Sequence, residues 1–89
     1  MGKSTASQDI EVERVQTGVR LEKRLLKVLK ALSEHKDMTL GELLEGILLH
    51  ALDGKQPFSR DTLALVAQLK AIYGLQLDSS HSHQLRDRK

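Results

Sequence analysis

Polar and apolar residues alternate strictly from Val15 to Leu21. One face of this segment consists of Val15, Thr17, Val19 and Leu21, and the other of Arg14, Gln16, Gly18 and Arg20. A period of two is typical of a β-strand with one buried face. No other segment of the chain has this pattern, and a lone strand leaves backbone N–H and C=O groups unpaired on both edges. The pattern therefore predicts a strand that pairs with a strand from a second molecule.

After Leu21 the apolar residues recur at spacings of three and four, which indicates an amphipathic helix. Its apolar stripe consists of Leu25, Leu26, Leu29 and Leu32, and its other faces carry Glu22, Lys23, Arg24, Lys27 and Lys30. The next residues, His35-Lys36-Asp37, place basic groups where the dipole of an ending helix favours positive charge. We therefore expect the first helix to end there.

A second helix is predicted to begin at Thr39-Leu40-Gly41-Glu42, because this segment has the T-x-x-E form of a capping box. Its apolar residues are Leu40, Leu43, Leu44, Ile47, Leu48, Leu49, Ala51 and Leu52. They occupy more than one side of the helix, so one neighbouring helix and a short strand cannot cover them all. We expect this helix to lie in a dimer core, and to end at Asp53-Gly54, where Gly54 suits the left-handed C′ position.

A third helix is predicted from about Arg60 to Tyr73, with Ser59 as a fair N-cap and its end near Tyr73-Gly74. The predicted organisation is a flexible N-terminal arm over 1–11, a core domain over 12–54, a linker and third helix over 55–77, and a disordered basic tail over 78–89.

Composition narrows the class of protein. The chain has 89 residues, which suffices for one domain, and it has no cysteine, which excludes disulfides and thiolate metal sites. Oligomerisation is then the obvious way to enlarge a small core. Only 2% of residues are aromatic, which favours packed helices, and the net charge of +2 permits nucleic-acid binding. No apolar run approaches the roughly 20 residues of a membrane span, so a soluble, cytoplasmic protein is expected.

The order strand, helix, turn, helix resembles the ribbon-helix-helix arrangement of the CopG/Arc/MetJ superfamily. Gly18-Val19-Arg20-Leu21, followed by Leu25, Leu26 and Leu29, resembles the family's "TVRL…LL..L" opening, and residues 39–44 resemble its "S-x-S-E-L-I" motif. The match covers about Val12 to Leu52. Two positions depart from the pattern: Glu22 stands where proline is usual, and the usual glycine before the second helix is replaced around Asp37-Met38.

The resemblance implies a mostly α, ribbon-helix-helix fold: an intertwined homodimer with a two-stranded antiparallel ribbon, plus one extra C-terminal helix. In this family the ribbon enters the DNA major groove. By position, the base-reading residues are Arg14, Gln16, Gly18 and Arg20. Arg20 could contact guanine and Gln16 could contact adenine. Gly18 has no side chain to contact a base, so the affinity for DNA would depend more on phosphate contacts and on DNA shape.

The resemblance also implies phosphate binding at the start of the second helix. Thr39, Leu40 and Gly41 match those positions, and Lys23 and Arg24 are further phosphate candidates because they lie nearest the strand. For both groups of residues a plainer interpretation stays open. The outward residues of the strand, and the basic residues of the first helix, could simply be solvated faces.

The function predicted from this resemblance is a sequence-specific DNA-binding transcriptional regulator, expected to be a repressor, whose dimers could also stack along DNA. The alternative is a protein-binding helical dimer, such as an antitoxin or adaptor, that captures a partner through residues 60–73. An enzyme is not expected, because neither His35 nor His50 has a catalytic companion nearby. His81-x-His83 lacks a third ligand, so no metal or other cofactor is expected.

Overall fold

The computed structural model describes residues 9–88 and places three α-helices and one short 3-10 turn in that range. The helices are α1 (Lys23–His35), α2 (Leu40–Leu52) and α3 (Arg60–Tyr73), and the 3-10 turn covers Ser79–His81. Helix α1 packs against both α2 and α3. Within the described residues no helix is both long and apolar enough to cross a membrane. Most of the predicted N-terminal arm, residues 1–8, lies outside the described residues.

The prediction of a ribbon-helix-helix fold is wrong for this structure, although a mostly α protein is correct. Residues 9–22 have no regular secondary structure, and the described chain contains no strand or sheet. Both sets of alternating residues are exposed, including Val15 at 79% and Val19 at 74%. The physical reason is that a strand needs a neighbour for its backbone hydrogen bonds, and the rest of this chain forms helices and turns.

The start of α1 is stabilised by Glu22, which is the N-cap residue of this helix. The Glu22 carboxylate accepts a hydrogen bond from the Leu25 backbone N–H at 2.8 Å, and this bond lowers the pKa of Glu22. At the other end of α1, Asp37 adopts a left-handed backbone conformation with φ of 58°. Glycine adopts that conformation at little cost, and aspartate is one of the few other residues that tolerate it.

The capping box predicted at the start of α2 is confirmed. The Glu42 backbone N–H donates to the Thr39 hydroxyl at 3.1 Å, and the Thr39 backbone N–H donates to the Glu42 carboxylate at 2.9 Å. Helix α2 ends at Leu52, and Gly54 has the left-handed φ of 71° expected of a C′ glycine. These bonds satisfy backbone groups that the helix itself leaves without partners.

The third helix begins and ends where the sequence predicts. Ser59 is its N-cap and accepts a hydrogen bond from the Thr62 backbone N–H, and Gly74 ends it in the left-handed conformation. Beyond it, the chain turns back at the 3-10 turn, where the Asp78 carboxylate accepts the Ser80 N–H at 2.9 Å. Hydrogen bonds from Ser80 lower the pKa of Asp78. The segment predicted as a disordered tail therefore contains a capped turn.

The buried apolar core is small. It consists of Val28 and Leu32 from α1, Leu43 from α2, and Leu75 after α3, and Leu32 is the most buried at 1% exposure. Several large apolar side chains are left exposed, among them Leu49 at 66% and Leu52 at 84%. The described part of the chain therefore leaves apolar surface available for contacts with other molecules.

Candidate nucleic-acid interface

A basic groove lies where the beginning of α1 meets the C-terminal segment. Its volume is about 1110 Å³. Three parts of the chain supply its cationic side chains: the end of the irregular segment, the first turns of α1, and the last described residues. These six side chains are Arg20, Lys23, Arg24, Lys27, Arg86 and Arg88, and every one of them is exposed. We refer to this surface as the basic groove.

Among the residues that the structure describes, two acidic ones line the basic groove, and both already have a partner. The carboxylate of Glu22 caps α1, and that of Asp87 pairs with the Arg20 guanidinium at 2.6 Å. Six cations and two carboxylates give the groove a net charge of four positive, compared with +2 for the whole chain. The remaining surface is therefore net acidic, and an anion is attracted to this one face.

The predicted base-reading residues are not brought together. Arg20 lies in the basic groove, but the Arg14 guanidinium makes a two-pronged contact with the Glu45 carboxylate on α2, with both nitrogen-to-oxygen distances 2.8 Å. This hydrogen-bonded pair lowers the pKa of Glu45. Gln16 and Gly18 are exposed in the irregular segment. A shared reading face for all four residues is therefore absent from the described part of the chain.

The predicted phosphate-binding residues divide into two groups at opposite ends of α1. Lys23 and Arg24 line the basic groove, whereas Thr39, Leu40 and Gly41 follow the far end of a 13-residue helix, which is about 20 Å long. Around the start of α2, the shallow surface is also lined by the carboxylates of Glu34, Asp37 and Glu42. These negative charges offset the attraction of a helix N-terminus for phosphate.

Two cationic residues of the basic groove were missed by sequence reasoning. Arg86 and Arg88 belong to a segment that was interpreted as a disordered tail. A third, Lys27, was considered mainly as part of a solvated helix face. Its spacing of four from Lys23 was an available signal, because residues four apart lie on the same side of a helix. No pattern in the sequence indicates that the tail returns to α1, because that depends on the packing of α3.

A second exposed surface lies on α2. Leu48, Leu49 and Leu52 are 58%, 66% and 84% exposed, and their spacing places them on one side of the helix. The opposite side carries Leu43, which is buried, and Ile47, which is partly buried. We call the exposed set the α2 leucine face. Glu45 lies on the same side one turn earlier, so the Arg14–Glu45 pair borders this face.

One of the two C-terminal histidines, His81, makes a local hydrogen bond. The ring Nδ1 of His81 accepts a hydrogen bond from the Asp78 backbone N–H at 3.1 Å, which completes the cap of the 3-10 turn. His83 has a positive φ of 67°. Among the described residues, no group of three histidine, aspartate or glutamate side chains is arranged to hold a metal ion.

The fold and these two surfaces define a small three-helix protein with a basic groove and an exposed leucine face. Comparisons with protein-family models, with curated proteins and with solved structures find no match to this chain. The two surfaces are therefore the features of the molecule that bear on its function.

Proposed function

We propose that this protein is a DNA-binding transcriptional regulator whose basic groove contacts the phosphate backbone of double-stranded DNA. The observation that carries the proposal is the convergence of six exposed cationic side chains on one concave surface. Phosphate contacts of this kind supply most of the affinity of nonspecific DNA binding and a large share of specific binding. Repression of a promoter would follow from occupancy of an operator.

Two features favour nucleic acid over a small anion. The groove is about 1110 Å³ and open to solvent, so it is larger than the concave pockets that usually bind small molecules. Its cations also come from three separated chain segments, so several independent side chains can each contact a phosphate. Arg20 and Arg24 can in addition bind guanine or phosphate through the planar fork of a guanidinium, which lysine lacks.

Titration of duplex DNA at several salt concentrations tests the proposal. If four to six of the cations neutralise phosphates, log K falls with log salt with a slope of about −3.6 to −5.4, at about 0.9 per contact. Fluorescence anisotropy with a labelled 30-base-pair duplex measures this slope. A duplex of random sequence and selection from a random pool then separate nonspecific binding from operator recognition. A slope near zero, or no binding at low salt, would contradict the proposal.

We further propose that the regulator is a homodimer that associates through the α2 leucine face. Four buried apolar side chains make a small core for a folded domain. Leucine is among the residues most often buried, so three exposed on one side of a helix mark a contact surface.

Replacing Leu49 and Leu52 together by glutamate is expected to convert the protein from dimer to monomer. Neither side chain supports the core of its own protomer, because both are mostly exposed, so the helical circular dichroism is expected to persist at high protein concentration. Sedimentation equilibrium measures the mass in solution, which should fall from that of two chains to that of one chain of 10.0 kDa. The matched control is Leu63→Glu on α3, which should remain dimeric. A wild-type monomer would contradict the proposed dimer.

The alternative of a protein-binding helix at residues 60–73 receives less support. The exposed apolar residues of α3 include Leu63 at 42% and Ile72 at 72%. They are nine positions apart, which places them on opposite sides of an α-helix. An amphipathic helix that captures a partner presents one continuous stripe, and these two residues do not form one.

A further inference from the structure

The C-terminal segment that lines the basic groove also supplies an exposed carboxylate, that of Asp87, which contacts one of the groove cations. Asp87 Oδ2 lies 2.6 Å from a terminal nitrogen of Arg20, although the two residues are 67 positions apart in the sequence. Leu85, Arg86 and Arg88 line the same groove. We call residues 85–88 the C-terminal strap.

We propose that the C-terminal strap is an intramolecular competitor for DNA, in which the Asp87 carboxylate occupies the Arg20 guanidinium until a DNA phosphate displaces it. This inference rests on the proposed function of the basic groove. A carboxylate and a phosphate present similar oxygens to a guanidinium, and arginine binds both through the same fork of N–H groups. The Asp87 carboxylate, close to one terminal nitrogen of Arg20, therefore competes with a phosphate for the same cation and lowers the attraction that Arg20 offers to DNA.

The contact is weak enough to be displaced. The side chains of Arg20 and Asp87 are 86% and 71% exposed, so solvent and salt screen their attraction strongly. A contact of this strength does not block the groove. It lowers the affinity for DNA by a small factor, and the other cations remain available to make the first contact.

The strap has two opposing effects, which determines the choice of variant. Arg86 and Arg88 add positive charge to the groove, whereas Asp87 neutralises one cation. Deleting the strap would remove attraction and competition together. The informative change is Asp87→Asn, because it removes the negative charge and leaves the shape and both arginines in place.

The test is a double-mutant cycle in the full-length protein, measured by DNA binding at about 0.05 M salt. Asp87→Asn is expected to tighten binding about two- to fivefold. The control Asp53→Asn makes the same change in net charge outside the groove and reports the general effect of added positive charge. In the Arg20→Ala background, Asp87→Asn should improve binding no more than Asp53→Asn does, because the group that it releases is absent.

Three results distinguish the possibilities. The competitor role would be overturned if Asp87→Asn and Asp53→Asn changed the DNA affinity equally, or if Asp87→Asn still raised the affinity in the Arg20→Ala background. Either result would leave the proposed function intact. The absence of salt-dependent DNA binding by the wild type would overturn the proposed function and, with it, the competition. If Asp87→Asn raises the DNA affinity only when Arg20 is present, and if this increase becomes smaller at about 0.5 M salt, the result supports the strap as a competitor.

Discussion

Replacing Lys23 and Lys27 by alanine is expected to weaken duplex binding roughly 30-fold at 0.15 M salt. Both lysines line the basic groove and lie four residues apart on α1. Each phosphate contact contributes about 0.9 to the salt slope, so losing two should make the slope shallower by about 1.8, and at 0.15 M this corresponds to roughly 30-fold. Anisotropy titrations at four salt concentrations give both the affinity for the duplex and the slope of log K against log salt.

The matched control for this variant is the double replacement of Lys36 and Lys55 by alanine. These two lysines are exposed and lie outside the basic groove, yet their removal lowers the net charge by the same amount. The control should change the affinity only slightly and leave the slope nearly unaltered. If the two double variants behave alike, binding depends on overall charge and the groove is not the DNA interface.

Replacing Leu32 by alanine is expected to produce the largest loss of stability, about 2–5 kcal/mol in the free energy of unfolding. Leu32 is 1% exposed and belongs to a core of only four apolar side chains. Neighbouring helices cannot fully close the space that its side chain leaves. Because the free energy of unfolding of small domains is only about 5–15 kcal/mol, this single change removes a large share of it.

Urea denaturation followed by circular dichroism at fixed protein concentration measures this loss. The concentration must be constant because association stabilises the folded state by mass action. The control is Val12→Ala in the irregular segment, where the side chain is 61% exposed and the change should stay within about 0.5 kcal/mol. Similar losses for the two variants would show that Leu32 does not support the core.

The helices could be predicted because their signals are local. Thr39 and Glu42 form the predicted capping box, and Ser59 and Gly74 bound α3 as the sequence indicates. Each signal involves residues within about four positions of one another, so hydrogen bonds formed inside a single turn decide the outcome. The same reasoning explains Gly54, whose left-handed backbone conformation is cheap only for glycine.

The alternating segment shows the opposite case. Val15 and Val19 have the period of a strand, yet both are exposed in a segment without regular structure. Periodicity indicates which side chains could share a face, but it does not supply the second backbone that a strand requires. A resemblance based on the order of elements carried the same error into the predicted reading face, because Arg14 turns instead to Glu45 on α2.

The candidate site could be predicted only in part. Lys23, Arg24 and Arg20 were identified in advance, and all three lie in the basic groove. Arg86 and Arg88 were missed, because nothing near them in the sequence indicates what they approach. Thr39 and its neighbours were assigned the same role but lie beyond the other end of α1.

The sequence by itself determined the three helices, their caps and the excess of leucine on α2, because backbone hydrogen bonding and helical periodicity act over a few residues. Only the tertiary structure decided that the C-terminal segment meets the start of α1, so that Asp87 pairs with Arg20 and six cations share one groove. That meeting depends on how α3 packs on α1 and directs the chain that follows it. Such long-range geometry results from the summed packing of many side chains and leaves no local pattern to read.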